Sequence, residues 1–215
     1  MKPARFLIAD DHPLFRRGVV AAITEVDGWT VVAEAASGGA AVELAIRHQP
    51  DLVILDMVMP QLNGLEATRQ ILAAAPSIKV LILTGHESEQ LVREVLNAGA
   101  QGYLLKSDAG RTLVTALEAL LAGQPFFTSK VARLVLAGYL RGVAEASAGQ
   151  EPLSPREREI VQLLAEGSSN KDVARVLRIS IKTVETHRSN IMRKMQFDSL
   201  ADLVRYAVRN KLIEA

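Results

Sequence analysis

Leu52-Val53-Ile54-Leu55-Asp56-Met57-Val58-Met59-Pro60 is the stretch that decides the fold. Four consecutive apolar residues leave no polar face. Such a run reads as a strand buried on both sides, the environment a parallel sheet provides. It ends on an acid. Comparable runs lie on either side: Arg5-Phe6-Leu7-Ile8-Ala9, Thr30-Val31-Val32-Ala33, Val80-Leu81-Ile82-Leu83 and Gly102-Tyr103-Leu104-Leu105. Helical patterns alternate with them near residues 14–25, 40–48, 65–74, 89–97 and 112–121. Five strand–helix units in alternation imply a parallel sheet with right-handed crossovers and helices on both faces.

In sheets of this kind, function collects at the carboxyl ends of the strands. Asp10 and Asp11 end the first strand, Asp56 the third, Thr84 the fourth and Lys106 the fifth. Three carboxylates, a hydroxyl and an ammonium are therefore expected at one spot. Close carboxylates resist joint ionisation unless a cation joins them. A hard, oxygen-preferring ion such as Mg2+ suits them and leaves room for a phosphate.

The rest of the chain bounds the problem. Its 215 residues allow one large domain or two small ones. It has no cysteine, which excludes a disulfide scaffold, a thiolate zinc site and a cysteine nucleophile. No apolar run approaches the roughly 18 residues needed to span a bilayer, and the first residues lack the form of a signal peptide. A soluble, cytoplasmic protein without a membrane partner is the expectation. Residues 1–149 carry 13 basic and 15 acidic side chains, residues 150–215 carry 12 and 9. The mildly basic C-terminal third is compatible with a polyanion partner.

After residue 150 the strand signal stops. Ser154, Pro155 and Glu157 spell a capped helix start. A second short helix is expected over Asn170-Lys171-Asp172-Val173-Ala174-Arg175-Val176-Leu177, a turn at Arg178-Ile179-Ser180, and a third helix over residues 181–195. Val184, Ile191 and Met195 share one face of that third helix. Helix, tight turn, polar helix is the plan of a helix-turn-helix, whose second helix enters the major groove. Three regions result: residues 1–122, a linker over 123–152 with a helix at 129–141, and a C-terminal region over 153–215.

Two resemblances sharpen this reading. Asp10-Asp11-His12, Asp56-Met57-Val58-Met59-Pro60, Thr84-Gly85 and Tyr103-Leu104-Leu105-Lys106 resemble the receiver domain of two-component response regulators. That resemblance covers about residues 4–122. It implies a flavodoxin-like, doubly wound, five-stranded parallel sheet of order 2-1-3-4-5. It also implies that Asp56 accepts a phosphoryl group from a histidine kinase. Mg2+ would be held by Asp10, Asp11, Asp56 and the carbonyl of Val58. Lys106 and Thr84 would meet the phosphoryl group, and Thr84 with Tyr103 would form the switch. Pro60 and Gly64 would shape the loop after Asp56. Val58 departs from the polar residue often found there, and an apolar side chain cannot orient an attacking water. At most slow self-dephosphorylation is expected, not enzymatic turnover.

Leu153-Ser154-Pro155-Arg156-Glu157-Arg158-Glu159, Asn170-Lys171-Asp172-Val173-Ala174 and Lys182-Thr183-Val184-Glu185-Thr186-His187 resemble the all-α DNA-binding domain of the NarL/FixJ (LuxR-type) regulators. By position, Glu185, Thr186 and Ser189 would face base edges. Lys182, Thr183, Arg188, Arg193 and Lys194 would meet phosphates or groove edges of double-stranded DNA. Leu200, Leu203, Val204 and Ala207 would lie on the side that forms a homodimer, some of them also serving the core. Glu185 has an alternative as the partner of Arg188 one turn away.

Other functions fit less well. A phosphatase using Asp56 as nucleophile lacks the second downstream acid of haloacid-dehalogenase-like enzymes. No GxGxxG or GxxxxGK[ST] occurs for a nucleotide fold. A receiver gated by a ligand or partner without phosphorylation is the alternative, and the complete acid, threonine and lysine set argues against it.

Overall fold

The computed structural model describes residues 3–85, 88–128, 131–132 and 153–213. The chain forms two compact units. The first holds β1 (Ala4–Ala9), α1 (Pro13–Thr24), β2 (Trp29–Ala35), α2 (Gly38–His48), β3 (Leu52–Asp56), α3 (Gly64–Ala74), β4 (Lys79–Thr84), α4 (Glu89–Asn97), β5 (Gly102–Leu105), α5 (Lys106–Leu121) and β6 (Phe126–Phe127). All strand pairs are parallel, in the order β2-β1-β3-β4-β5-β6. The doubly wound order expected from the sequence is present, with one short strand added beyond β5.

Every residue of β3 is buried, as an apolar run in mid-sheet requires. Side chains alternate between faces. Phe6, Ile8, Leu52, Ile54, Leu81, Leu83 and Leu104 form one core with Val19 and Ile23 of α1 and Leu113, Ala116 and Leu117 of α5. The intervening residues, Leu7, Val53, Leu55 and Ile82, are buried on the opposite face. Register then sets the carboxyl edge: Ala9 pairs with Leu55, Asp56 with Leu83, and Thr84 with Leu105. The residues that end or follow these strands are neighbours by construction.

Two expectations shift. Lys106 opens α5 rather than closing a strand, with extended Leu105 as its N-cap. Phe126–Phe127 pairs in parallel with β5 inside the segment expected as linker. The helix expected over 129–141 lies outside the described residues except for 131 and 132, and 142–152 lies outside altogether. None of the described helices is long and apolar enough to cross a membrane.

The second unit contains α6 (Pro155–Ala165), α7 (Asn170–Val176), α8 (Ile181–Met195) and α9 (Leu200–Arg209). Each begins with a serine whose hydroxyl accepts a backbone N–H: Ser154 from Glu157, Ser169 from Asp172, Ser180 from Thr183, Ser199 from Asp202. A cap of this kind is worth about 1 kcal/mol, so the serines fix where each helix starts. Ile160, Val161, Leu163, Val173, Val184, Ile191 and Leu203 make the core. Arg178, in the turn between α7 and α8, has a left-handed backbone (φ 53°).

Candidate functional site

In the first unit, Asp10 and Asp11 follow β1, Asp56 ends β3, and Lys106 starts the helix after β5. The Lys106 ammonium bridges two of the acids, 2.7 Å from Asp56 Oδ2 and 2.8 Å from Asp10 Oδ2. Asp10, Asp11, His12 and Asp56 each offer a ligand atom, all within 4.8 Å of one another. Thr84, at the end of the adjacent strand β4, is buried, as is Tyr103 on β5. Val58 lies two residues beyond β3 and is partly buried.

Burial is the dominant influence on Asp56. Loss of water pushes its pKa up to about 6, against the lowering effect of the Lys106 hydrogen bond and with further raising by Asp10 and Asp11. Burial alone would lower Lys106, but its bonds to Asp10 and Asp56 outweigh that and hold it above the ordinary lysine value. Three carboxylates against one ammonium leave the pocket with two uncompensated negative charges. A divalent cation balances them, and an all-oxygen set from Asp10, Asp11 and Asp56 is the donor chemistry of Mg2+. The residues present fit the ion.

Arg16 and Phe15 support the pocket without any signal in the sequence, whereas Gly64 is marked there. Arg16 donates to the Asp10 carbonyl at 2.6 Å and pairs with Glu34 of β2 at 2.9 Å, tying the acidic turn to α1 and the sheet. The Phe15 ring lies 4.8 Å below the Lys106 ammonium. Gly64 opens α3 directly against Asp56: a Cβ there would stand 2.1 Å from the Asp56 carbonyl oxygen. At Gly85 a Cβ would meet nothing within 4 Å, so alanine fits equally well.

In the second unit, α8 buries Val184 and Ile191 and turns its polar residues outward. Lys182, Glu185, Thr186, Ser189 and Arg193 are exposed, and Thr183 and Arg188 partly so. The Thr186 hydroxyl donates to the Lys182 carbonyl, and Arg193 donates to Asn190. Among the described residues Glu185 makes no ion pair with Arg188. A cleft beside this helix is lined by Ser169, Asn170, Lys171, Ile181 and Arg188, so Lys171 joins the cations on that surface.

The profile of the response regulator receiver domain matches residues 6–118, and that of the luxR family of bacterial regulatory proteins matches residues 151–207. The chain is a LuxR-type response regulator. The oxygen regulatory protein NreC of Staphylococcus epidermidis is 37% identical over 216 residues, covering 98% of this chain and 99% of NreC. The transcriptional regulatory protein LiaR of Bacillus subtilis is 38% identical over 209 residues, covering 97% and 99%. Among solved structures, RcsB of Salmonella enterica serovar Typhimurium bound to the promoter rprA with the phosphomimetic BeF3− aligns over 95% of this chain and 98% of its own. It has a TM-score of 0.64 and 26% identity.

For this response regulator the geometry corrects two assignments in the second unit. Leu203 and Ala207 are fully buried in the core of their own unit and present nothing to a second copy. One helical stripe of apolar residues cannot say whether it faces a core or a partner. Of those four residues, Leu200, which is exposed, and Val204, partly so, keep surface on that helix. Lys194 is paired with Glu157 of α6 at 3.2 Å, and its side chain keeps about a quarter of its surface exposed (26%).

Proposed function

We propose that this response regulator is a DNA-binding transcription factor gated by phosphorylation of Asp56. The observation that carries the reading is the Lys106 bridge to Asp56 and Asp10 at one strand edge, with Thr84 beside it. In the step proposed, a histidine kinase presents a phosphohistidine. The P–N bond breaks with its electron pair returning to the imidazole as an Asp56 Oδ–P bond forms. Asp10, Asp11, Asp56 and the Val58 carbonyl would hold Mg2+, which supplies charge neutralisation for the carboxylate and the incoming group. Lys106 pairs with the phosphoryl oxygens, and the Thr84 hydroxyl donates to one of them.

The phosphoryl group replaces a charge of about −1 by about −1.5 to −2 and adds acceptor oxygens. Thr84 drawn toward it makes room behind β4, and the buried position of Tyr103 is the one that this shift would stabilise. The signal would thereby pass from a charge to a packing arrangement. On the output side, Glu185, Thr186 and Ser189 face base edges, while Lys182, Thr183, Arg188 and Arg193 meet phosphates. Leu200 and Val204 contribute to a homodimer, which makes the second half-site contact effectively intramolecular.

The test is mass by light scattering and affinity for a duplex selected from a random pool, with and without beryllofluoride and Mg2+. More dimer and tighter binding are expected for the wild type and neither for Asp56→Ala. An unchanged wild type, or an equal response in the variant, overturns the proposal in favour of gating by a ligand or partner.

A further inference from the structure

His12 sits inside the acidic pocket, and nothing in the phosphoryl chemistry above uses it. Its Nδ1 lies 2.7 Å from Asp11 Oδ1, 3.4 Å from Asp10 Oδ1 and 4.0 Å from Asp56 Oδ2. One ring nitrogen therefore faces all three carboxylates. Around a divalent ion with bonds of about 2.1 Å, neighbouring donors stand about 3 Å apart and opposite donors about 4.2 Å. The distances from His12 Nδ1 fall in and around that span.

The backbone explains the placement. The residue before a proline is confined to extended conformations, and His12 precedes Pro13 with φ −90° and ψ 101°. Its N–H donates to Asp10 Oδ1 at 2.8 Å, fixing the turn. The side chain is 56% exposed, so an ion can reach it from solvent.

We propose that His12 is a ligand of the cation in this pocket, and that its nitrogen moves the preference of the site from Mg2+ toward later first-row divalent ions. The proposal rests on the reading of the pocket as a receiver cation site. Mg2+ favours oxygen, whereas affinity at nitrogen-containing sites rises from Mn2+ through Co2+ and Ni2+. A neutral imidazole adds a donor without adding charge, so it strengthens binding of those ions while leaving the electrostatic attraction to Mg2+ as the carboxylates set it.

The experiment uses the full chain without an affinity tag, with calorimetric titration by Co2+ and by Mg2+ and the visible absorption of bound Co2+. His12→Ala is expected to lower Co2+ affinity by about tenfold or more, the low end of what displaced support of a metal costs, while Mg2+ affinity changes by less than about threefold. The Co2+ absorption should shift as a nitrogen donor is lost. Equal loss for both ions would mean that His12 only steadies Asp11, and it overturns the proposal, as does no loss at all. Asp11→Asn separates the two readings. If it weakens both ions while His12→Ala changes neither, only the role of His12 fails. If Asp11→Asn also changes nothing, the cation pocket itself is refuted.

Discussion

Gly64→Ala tests whether Asp56 is held by close packing of α3 against β3. The added Cβ would stand 2.1 Å from the Asp56 carbonyl oxygen, 3.0 Å from the Asp56 carbonyl carbon and 3.1 Å from Met57 Cα. Ordinary contact begins at 3.4 Å, so about 1.3 Å must be found by one side. Neither side is free to give it. Asp56 belongs to a strand paired on both edges. The start of α3 is held by the Gly64 N–H to the Met57 carbonyl at 2.9 Å, by the Asn63 cap, and by buried Leu65, Ala67 and Ile71. Overpacking of this kind costs about 1–3 kcal/mol. With a typical urea slope of about 1–3 kcal/mol per molar, the midpoint should fall by about 1 M. The single tryptophan, Trp29, is buried against Phe6 with ring centroids 4.8 Å apart, so its fluorescence follows this unit alone. The Asp56 carboxylate moves with its backbone, and a displacement near 1 Å costs about 100-fold in a positioned reaction. Phosphorylation by a small-molecule phosphodonor should slow by about 10- to 100-fold by the same argument. A variant with the wild-type urea midpoint and the wild-type rate would refute the packing argument.

Two further outcomes follow from charge. Asp56 has a folded pKa raised from 3.8 to about 6, so its ionisation opposes folding. That penalty is absent below about pH 3.8, grows as pH rises, and is complete above about 6. At about 1.4 kcal/mol per pH unit it reaches about 3 kcal/mol. Asp56→Asn removes the charge and loses the bond to Lys106, so a net gain of about 1–2 kcal/mol is expected at pH 7.5 in chelator, vanishing near pH 4. Trp29 fluorescence in urea measures it, and a variant less stable than wild type at both pH values contradicts it. In the second unit, burial would raise Glu157, but its bonds to Ser154 and Lys194 prevail and hold its pKa below the usual range. Its stabilisation is therefore full above about pH 4.5 and is lost as pH falls through the lower folded value. Ser154→Ala should cost about 1 kcal/mol at pH 7 and less in acid, read by circular dichroism of the helices. A loss independent of pH would leave the capping box without an electrostatic part.

What could be read from the sequence was whatever has a local period or a local chemical meaning. The strand ending at Asp56 was legible because Leu52 to Leu55 have no polar face. The acidic pocket was legible because acids at strand ends are unusual and parallel topology aligns strand ends. The order of the strands is a non-local property, and it came from resemblance. Ser107, Asp108 and Gly110 are poor helix formers, so no local pattern starts a helix at Lys106. Burial of Ala109 and Leu113 against the sheet outweighs that propensity. Phe126–Phe127 is too short for any period to show. The Lys194–Glu157 pair spans 37 positions, and no local pattern marks it. Leu203 and Ala207 fell on the wrong side of α9 for a related reason: amphipathicity gives the direction of a face but not its partner.

The same pocket that reads as the acceptor is also where the fold is electrostatically least content. Asp10 and Asp56 are almost wholly buried, and one lysine serves both. An ordinary core would replace such a cluster with aliphatic side chains, often with a gain in stability. Here the surrounding packing, which seats β3 between β1 and β4, holds the carboxylates where their charge is costly. The cost of about 3 kcal/mol for Asp56 is a sizeable share of the 5–15 kcal/mol typical of a domain. A cation at 100 times its dissociation constant returns about 2.7 kcal/mol by mass action. The two are of one size. Cation binding would thus cancel most of the strain without removing the nucleophile, and a phosphoryl group would then meet a carboxylate already paired with positive charge. A pocket relaxed in isolation, with Asp56 at an ordinary pKa and solvated, would bind the ion less tightly and gain less when the group arrives. The instability of the acids is therefore part of how the site can bias the unit that surrounds it.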